Sequence, residues 1–275
     1  MIRRLADRLV AVDLLDQAAE LLQHQVDHRL KGAARSQVAA RLATVYLMNR
    51  KPDRALASLQ QSRSSELAGD LREQRLLLEA RALSDIGRHP LALEIISAMK
   101  GREVLRLRAD IMWTAKRWRE AAELLELLYG ERWNNATALT KSERIDVMRT
   151  AIAYALAEEQ IGLARFRQKY TAKMADGPDQ RAFEVVTAPI GSTSSEFRAV
   201  AAAIANTSTL DGFLAELKQR YPEKPVPADD TARGQDAAPP ANDRAASALP
   251  PRPQNTAARP DPTPTGSINR APARR

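Results

Sequence analysis

The chain has 275 residues, of which 28% are charged and 44% hydrophobic, with a formal net charge of +8 and no cysteine. The lack of thiols excludes structural disulfides and cysteine-ligated zinc, and no stretch reaches the roughly 18 consecutive apolar residues that read as a membrane-spanning helix. Aromatics make up only 4% while alanine alone accounts for 49 residues, a balance that favours closely packed helices over a sheet with a bulky core.

At the N-terminus Arg3 and Arg4 resemble a signal n-region, but Asp7, Arg8 and Asp13 interrupt any apolar segment after them. The chain as written is therefore expected to be cytoplasmic, or periplasmic if it is a piece of a longer exported protein. Residues 1–221 then read as helix, turn, helix. Apolar positions recur at three and four, as in Leu5, Leu9 and Val12 and again in Leu14, Ala18, Leu21 and Leu22. Breakers fall between the runs at Lys31-Gly32, Lys51-Pro52, Gly87 with Pro90, Lys100-Gly101 and Gly130. Pro52 and Pro90 sit where a second helix would begin, where a missing amide costs nothing. A longer polar connection spans 129–140, and helices are expected over 142–157 and 162–174. Further helices are expected over 179–188, 195–206 and 209–221, with a loop over 189–194; 183–187 also has the composition of a short strand. From Pro222 the last 54 residues hold 12 of the 16 prolines and no aromatic residue. Such a segment cannot bury enough apolar surface to fold and is expected to be disordered.

Within this pattern pairs of small residues stand twelve positions apart: Ala6 with Ala18, Ala43 with Ala55, Ala80 with Ala92, and Ala109 with Ala121. Each pair has the same apolar frame, with Leu9, Tyr46, Leu83 and Met112 nine residues before the second alanine. Leu22, Leu59, Ile96 and Leu125 follow four residues after it. A fifth, degenerate copy is read on Ala164, with Ile152, Ala155 and Gln168 in the equivalent slots. Two helices that cross closely need small residues where their backbones meet and large ones on the flanks.

These residues resemble the tetratricopeptide repeat family, most closely over Trp118-Arg119-Glu120-Ala121-Ala122-Glu123-Leu124-Leu125. The early tryptophan of that family is replaced by Ile2, Ala39, Leu76, Leu105 and Met148, and its closing proline is missing. The resemblance implies an all-α fold, a right-handed superhelix of αα-hairpins over residues 1–175. Capping helices over 176–221 and the disordered tail over 222–275 complete the expected organisation. It also implies a non-catalytic scaffold or adaptor whose first helix of each pair lines a groove for a protein partner. By that resemblance Arg41, Arg75 and Arg108 face the groove; Trp113 is a candidate anchor on the separate ground that tryptophan is enriched at binding hot spots. Ile2, Leu5 and Leu9 have no preceding helix to cover them, so self-association or a longer parent protein would explain that face.

Chemistry is otherwise sparse. His24 and His28 lie four apart on one helix with no third ligand, Glu158-Glu159 and Asp229-Asp230 fall in turn or tail contexts, and no phosphate-binding glycine loop or nucleophile elbow occurs. No catalytic, cofactor-binding or metal-ligating residue is assigned, and no cofactor is expected. The 42 basic residues, 33 of them arginine, are interspersed with 34 acidic ones, which argues against nucleic acid as the partner. A basic helical-repeat module that binds nucleic acid and an accessory segment of a larger exported enzyme are the rival readings. The Pro250-Pro251-Arg252-Pro253 element could dock a polyproline reader, and the Arg and Ala bias points to a high-GC bacterium.

Overall fold

The architecture follows from one turn used five times. The computed structural model describes residues 2–64, 67–175, 177–188, 194–205 and 207–222; the tail and most of the loop expected at 189–194 lie outside these residues. Five hairpins pair α1 (Ile2–Ala11) with α2 (Leu15–His28), α3 (Gly32–Met48) with α4 (Pro52–Gln61), α5 (Gly69–Asp85) with α6 (His89–Ile95), α7 (Arg102–Thr114) with α8 (Trp118–Tyr129), and α9 (Lys141–Leu156) with α10 (Gln160–Met174). In each, the second residue after the first helix is left-handed: Asp13, Arg50, Gly87, Lys116 and Glu158 have φ of 61°, 53°, 82°, 59° and 58°. Its amide bonds back three residues, and the next amide bonds back five, from Leu14, Lys51, Arg88, Arg117 and Glu159 to the carbonyls of Leu9, Tyr46, Leu83, Met112 and Tyr154. This is the paired-bond C-cap that satisfies the last carbonyls of a helix. It aims the second helix back along the first.

The four alanine pairs lie at those crossings. Ala6, Ala18, Ala43, Ala55, Ala80, Ala92, Ala109 and Ala121 are all completely buried, as are Leu22, Ile96 and Leu125, with Leu59 at 1% exposure. The fifth copy is displaced by one residue from its sequence reading. Its turn puts Tyr154, not Ala155, in the slot of Tyr46, and Leu163, not Ala164, opposite Ala151. Ala164 is exposed while Leu163 is 3% exposed. The physical reason is Gly162: its α-carbon lies so close to the Tyr154 ring that an added Cβ would sit 2.9 Å from it. Glycine supplies the clearance that alanine gives elsewhere, and Leu163 turns inward beside it.

The connection before α9 is fixed by charge. Arg132, in a 3-10 turn over Arg132–Asn134, donates to Glu143 at 2.7 Å and to the Ala138 carbonyl at 2.7 Å. Thr140 and Glu143 form a reciprocal capping box at the start of α9. Three helices follow: α11 (Gln180–Val186), α12 (Ser195–Ala205) and α13 (Leu210–Arg220). The segment 183–187 is helix and turn, not strand. Among the described residues all regular structure is helical.

Each helix packs on its sequence neighbour from α1 to α10, and the first helices also touch along a row, α3 on α5 and α5 on α7. The apolar interior falls into two large clusters and a small one of Ala109, Leu125 and Leu128 between α7 and α8. One large cluster, rich in Ala, Leu and Val, runs from α1 to α7; the other gathers Trp113, Tyr154, Phe166, Tyr170, Phe183 and Phe197 around α9. α11 and α12 rest on α9. The helix expected to close the C-terminal end, α13, instead packs on α7, and Phe213, Leu217 and Tyr221 join the first cluster.

Candidate functional site

The row of first helices carries an unusual load of buried charge. Arg75, Glu79 and Arg81 on α5, Glu103, Arg106 and Asp110 on α7, and Asp146 and Arg149 on α9 are each 9% exposed or less. Helical spacing makes this possible: three- and four-residue steps put Arg106 with Asp110 and Asp146 with Arg149 on single faces. Between α7 and α9 these faces meet. Arg106 donates to Asp146 at 2.7 Å, Tyr129 donates to the same carboxylate at 2.6 Å, and Arg149 approaches Asp110 at 3.0 Å and Asp146 at 3.3 Å. Arg81 reaches Asp110 from α5 at 3.7 Å, while Arg149 also stacks over the Trp113 ring at 4.9 Å.

The lattice is only partly satisfied. Neither oxygen of Asp110 accepts a well-directed hydrogen bond, and Arg81 Nη1, Arg106 Nε, Arg149 Nε and Arg149 Nη2 are buried without an acceptor. Burial pushes the Asp110 carboxyl up from the usual range, against the pull of Arg149, Arg81 and Arg106. Burial works to lower Arg106, but Asp146 outweighs it and raises the guanidinium above its ordinary value. The Tyr129 phenol is raised by burial first and by Asp146 second.

α13 lies over the Arg81 and Arg106 end of this lattice. Gly212 brings its backbone to Arg106, where a Cβ would stand 3.0 Å from Arg106 Nη1. Phe213 is fully buried with the Arg81 guanidinium 5.8 Å from its ring. Glu216 accepts from Arg102 at 2.9 Å and lies 3.9 Å from Arg106, while the Tyr221 hydroxyl donates to Glu73 on α5 at 2.9 Å. Burial and then Glu73 raise the Tyr221 phenol. Phe213 and Leu217 each contribute about 1.5–3 kcal/mol of apolar burial. α13 therefore occupies the row much as a bound helix would.

The residues singled out in the sequence are not brought together. Arg41 pairs with Asp7 between α3 and α1. Arg75 donates to the Ser36 carbonyl at 2.6 Å, the Leu59 carbonyl at 2.6 Å and Ser62 Oγ at 2.9 Å, binding α3, the end of α4 and α5 into one unit. Burial lowers its pKa to about 10, so it stays charged near neutrality. Arg108 donates to the carbonyls of Ile96 and Ser97 at 2.6 and 2.7 Å, closing the end of α6. Trp113 is 9% exposed, between Arg149 and the edge of Trp118.

His24 and His28 are exposed, with rings 5.0 Å apart, and among the described residues no three acidic or imidazole groups converge as a metal site. A shallow pocket of about 330 Å³ lies along α10 beside Leu163, Arg167 and Thr187, without a carboxylate or imidazole on its wall. No described helix is long and apolar enough to cross a membrane. Compared with known protein families, with curated proteins and with solved structures, the chain finds no match in any of the three.

Proposed function

We propose that the five hairpins form a tetratricopeptide-like right-handed superhelix and that the protein is a non-catalytic scaffold that binds a protein partner along its row of first helices. The observation that carries this reading is α13, an amphipathic helix seated on α7 with its apolar stripe buried and its acid on Arg102. Helix-in-groove recognition uses anchors at such spacings. The repeated turn and the buried alanine crossings support a regular stack. The buried arginines are engaged by carboxylates and carbonyls of the same chain, which leaves them poor phosphate ligands.

The test has two arms. The 275-residue chain is titrated against labelled single- and double-stranded oligonucleotides at low and moderate salt, and it is used to capture partners from lysate with and without nuclease. A few stoichiometric proteins that persist after nuclease, with no oligonucleotide binding, are expected. Oligonucleotide binding that falls steeply with salt would replace the adaptor by a nucleic-acid-binding module.

A further inference from the structure

We propose that α13 is an exchangeable occupant of the α5–α7 face, and that the same face takes a partner's amphipathic helix bearing an aromatic residue, an acid three positions on, a leucine four positions on and a second aromatic eight positions on. The inference rests on the protein-binding reading and names the chemistry of its partner. The template is on the molecule: Phe213, Glu216, Leu217 and Tyr221 hold those positions, and each meets a distinct feature of the face. Phe213 enters the apolar cluster beside Arg81, Glu216 meets Arg102 and Arg106, and Tyr221 reaches Glu73. The other side of α13, with Asp211, Lys218 and Gln219, is exposed, while Arg220 reaches back to Glu103 on α7 at 3.8 Å.

Exchange is favoured by what lies beneath. α13 overlies Arg81 and Arg106, each of which keeps a buried guanidinium nitrogen without a hydrogen-bond acceptor. Lifting the helix would let water reach those nitrogens, which offsets part of the apolar burial of Phe213 and Leu217 that is lost. The contrast with Arg75 is direct, since that guanidinium has three short acceptors and sits where no helix overlies it in this way. The hold of α13 is also one-sided: it packs mainly on α7, and its ion pair to Arg102 involves a half-exposed side chain that salt would screen. Gly212 allows the close approach, because a Cβ there would stand 3.0 Å from Arg106 Nη1 and the guanidinium would have to give way.

The probe is a fluorescein-labelled peptide copying residues 209–222, added in trans to the full chain and followed by anisotropy. A chain carrying Phe213→Ala with Leu217→Ala should bind the peptide about tenfold or more tighter than the unaltered chain, because the internal competitor is weakened. A peptide with the same two substitutions should not bind, and a peptide with Glu216→Lys should bind several-fold more weakly. A doubly substituted chain that keeps its helix content by circular dichroism yet ignores the peptide overturns the proposal. If that chain loses its fold, hydrogen exchange on the unaltered chain decides. Amides of α13 exchanging about 100-fold faster than those of α7 uphold exchange, and equal rates overturn it. Failure here leaves a partner on another face of the scaffold, whereas salt-sensitive oligonucleotide binding removes the scaffold reading whatever the peptide does.

Discussion

The helices from α1 to α6 and those around α9 solve the same crossing problem with opposite materials. The first region closes its gaps by shrinking the side chains, so Ala43–Ala55 and Ala80–Ala92 meet with no exposed area and leucines fill the flanks. The second closes them by filling space: Phe166 and Tyr170 stack with ring centroids 4.6 Å apart, and Leu163 occupies the slot of an alanine. Between the two stands a charged layer, Arg106, Asp110, Asp146 and Arg149, in place of apolar contact. A repeat tolerates a change of filler provided its turn is kept, and the turn is what all five hairpins share.

That comparison can be broken at the charged layer first. Asp146→Ala strands Arg106, Arg149 and Tyr129 together, and should cost about 3–5 kcal/mol in urea unfolding. A loss below 1 kcal/mol would mean that the two regions do not depend on the layer. Next comes Ala80→Leu, which forces bulk into a closed crossing and should cost about 1–3 kcal/mol. Ala164→Leu, the same change at the exposed site once read as equivalent, should stay within about 0.5 kcal/mol; equal effects at the two sites would restore the unshifted register.

A smaller effect concerns Glu126, which joins α8 to the aromatic region. Burial works to raise its carboxyl, but hydrogen bonds from Lys169 and Tyr154, with the charge of Arg165, hold it below the ordinary glutamate value of 4.5. Its folded pKa lies below its unfolded one, so its stabilisation is present above 4.5 and is lost as pH falls through the folded value. Glu126→Gln should therefore cost about 1–2 kcal/mol at neutral pH, and the difference from the unaltered chain should shrink on acidification. A gap that widens in acid would contradict this sign. Smallest is Thr140→Ala at the capping box of α9, about 1 kcal/mol in thermal unfolding.

Helix content and four of the five crossings were legible because alanine at a fixed twelve-residue spacing has few competing explanations. The fifth was misread by one residue because its clearance comes from Gly162, next to the slot instead of in it. A signal was present in Tyr154, which repeats Tyr46 five residues before the second helix's cap. The buried lattice was not legible: Arg106 with Asp110, or Asp146 with Arg149, has the spacing of a solvated helix face. What takes those charges out of water is packing between residues far apart in the chain, such as Arg106 against Asp146 and Arg149 against Asp110. The resemblance places Arg75 and Arg108 in the groove, and nothing local to them announces the carbonyls they reach.

The recurring turn also has an engineering meaning. Four of its five left-handed corners are filled by Asp13, Arg50, Lys116 and Glu158, all exposed, and only Gly87 has the residue that such a φ suits. An L-residue there carries about 1–2 kcal/mol of strain, partly offset by the greater flexibility glycine would bring to the unfolded chain. Each corner is thus worth roughly 0.5–1 kcal/mol. Turning all four to glycine should raise the melting temperature, an upgrade confined to the turns that leaves the buried crossings and the α13 face as they are.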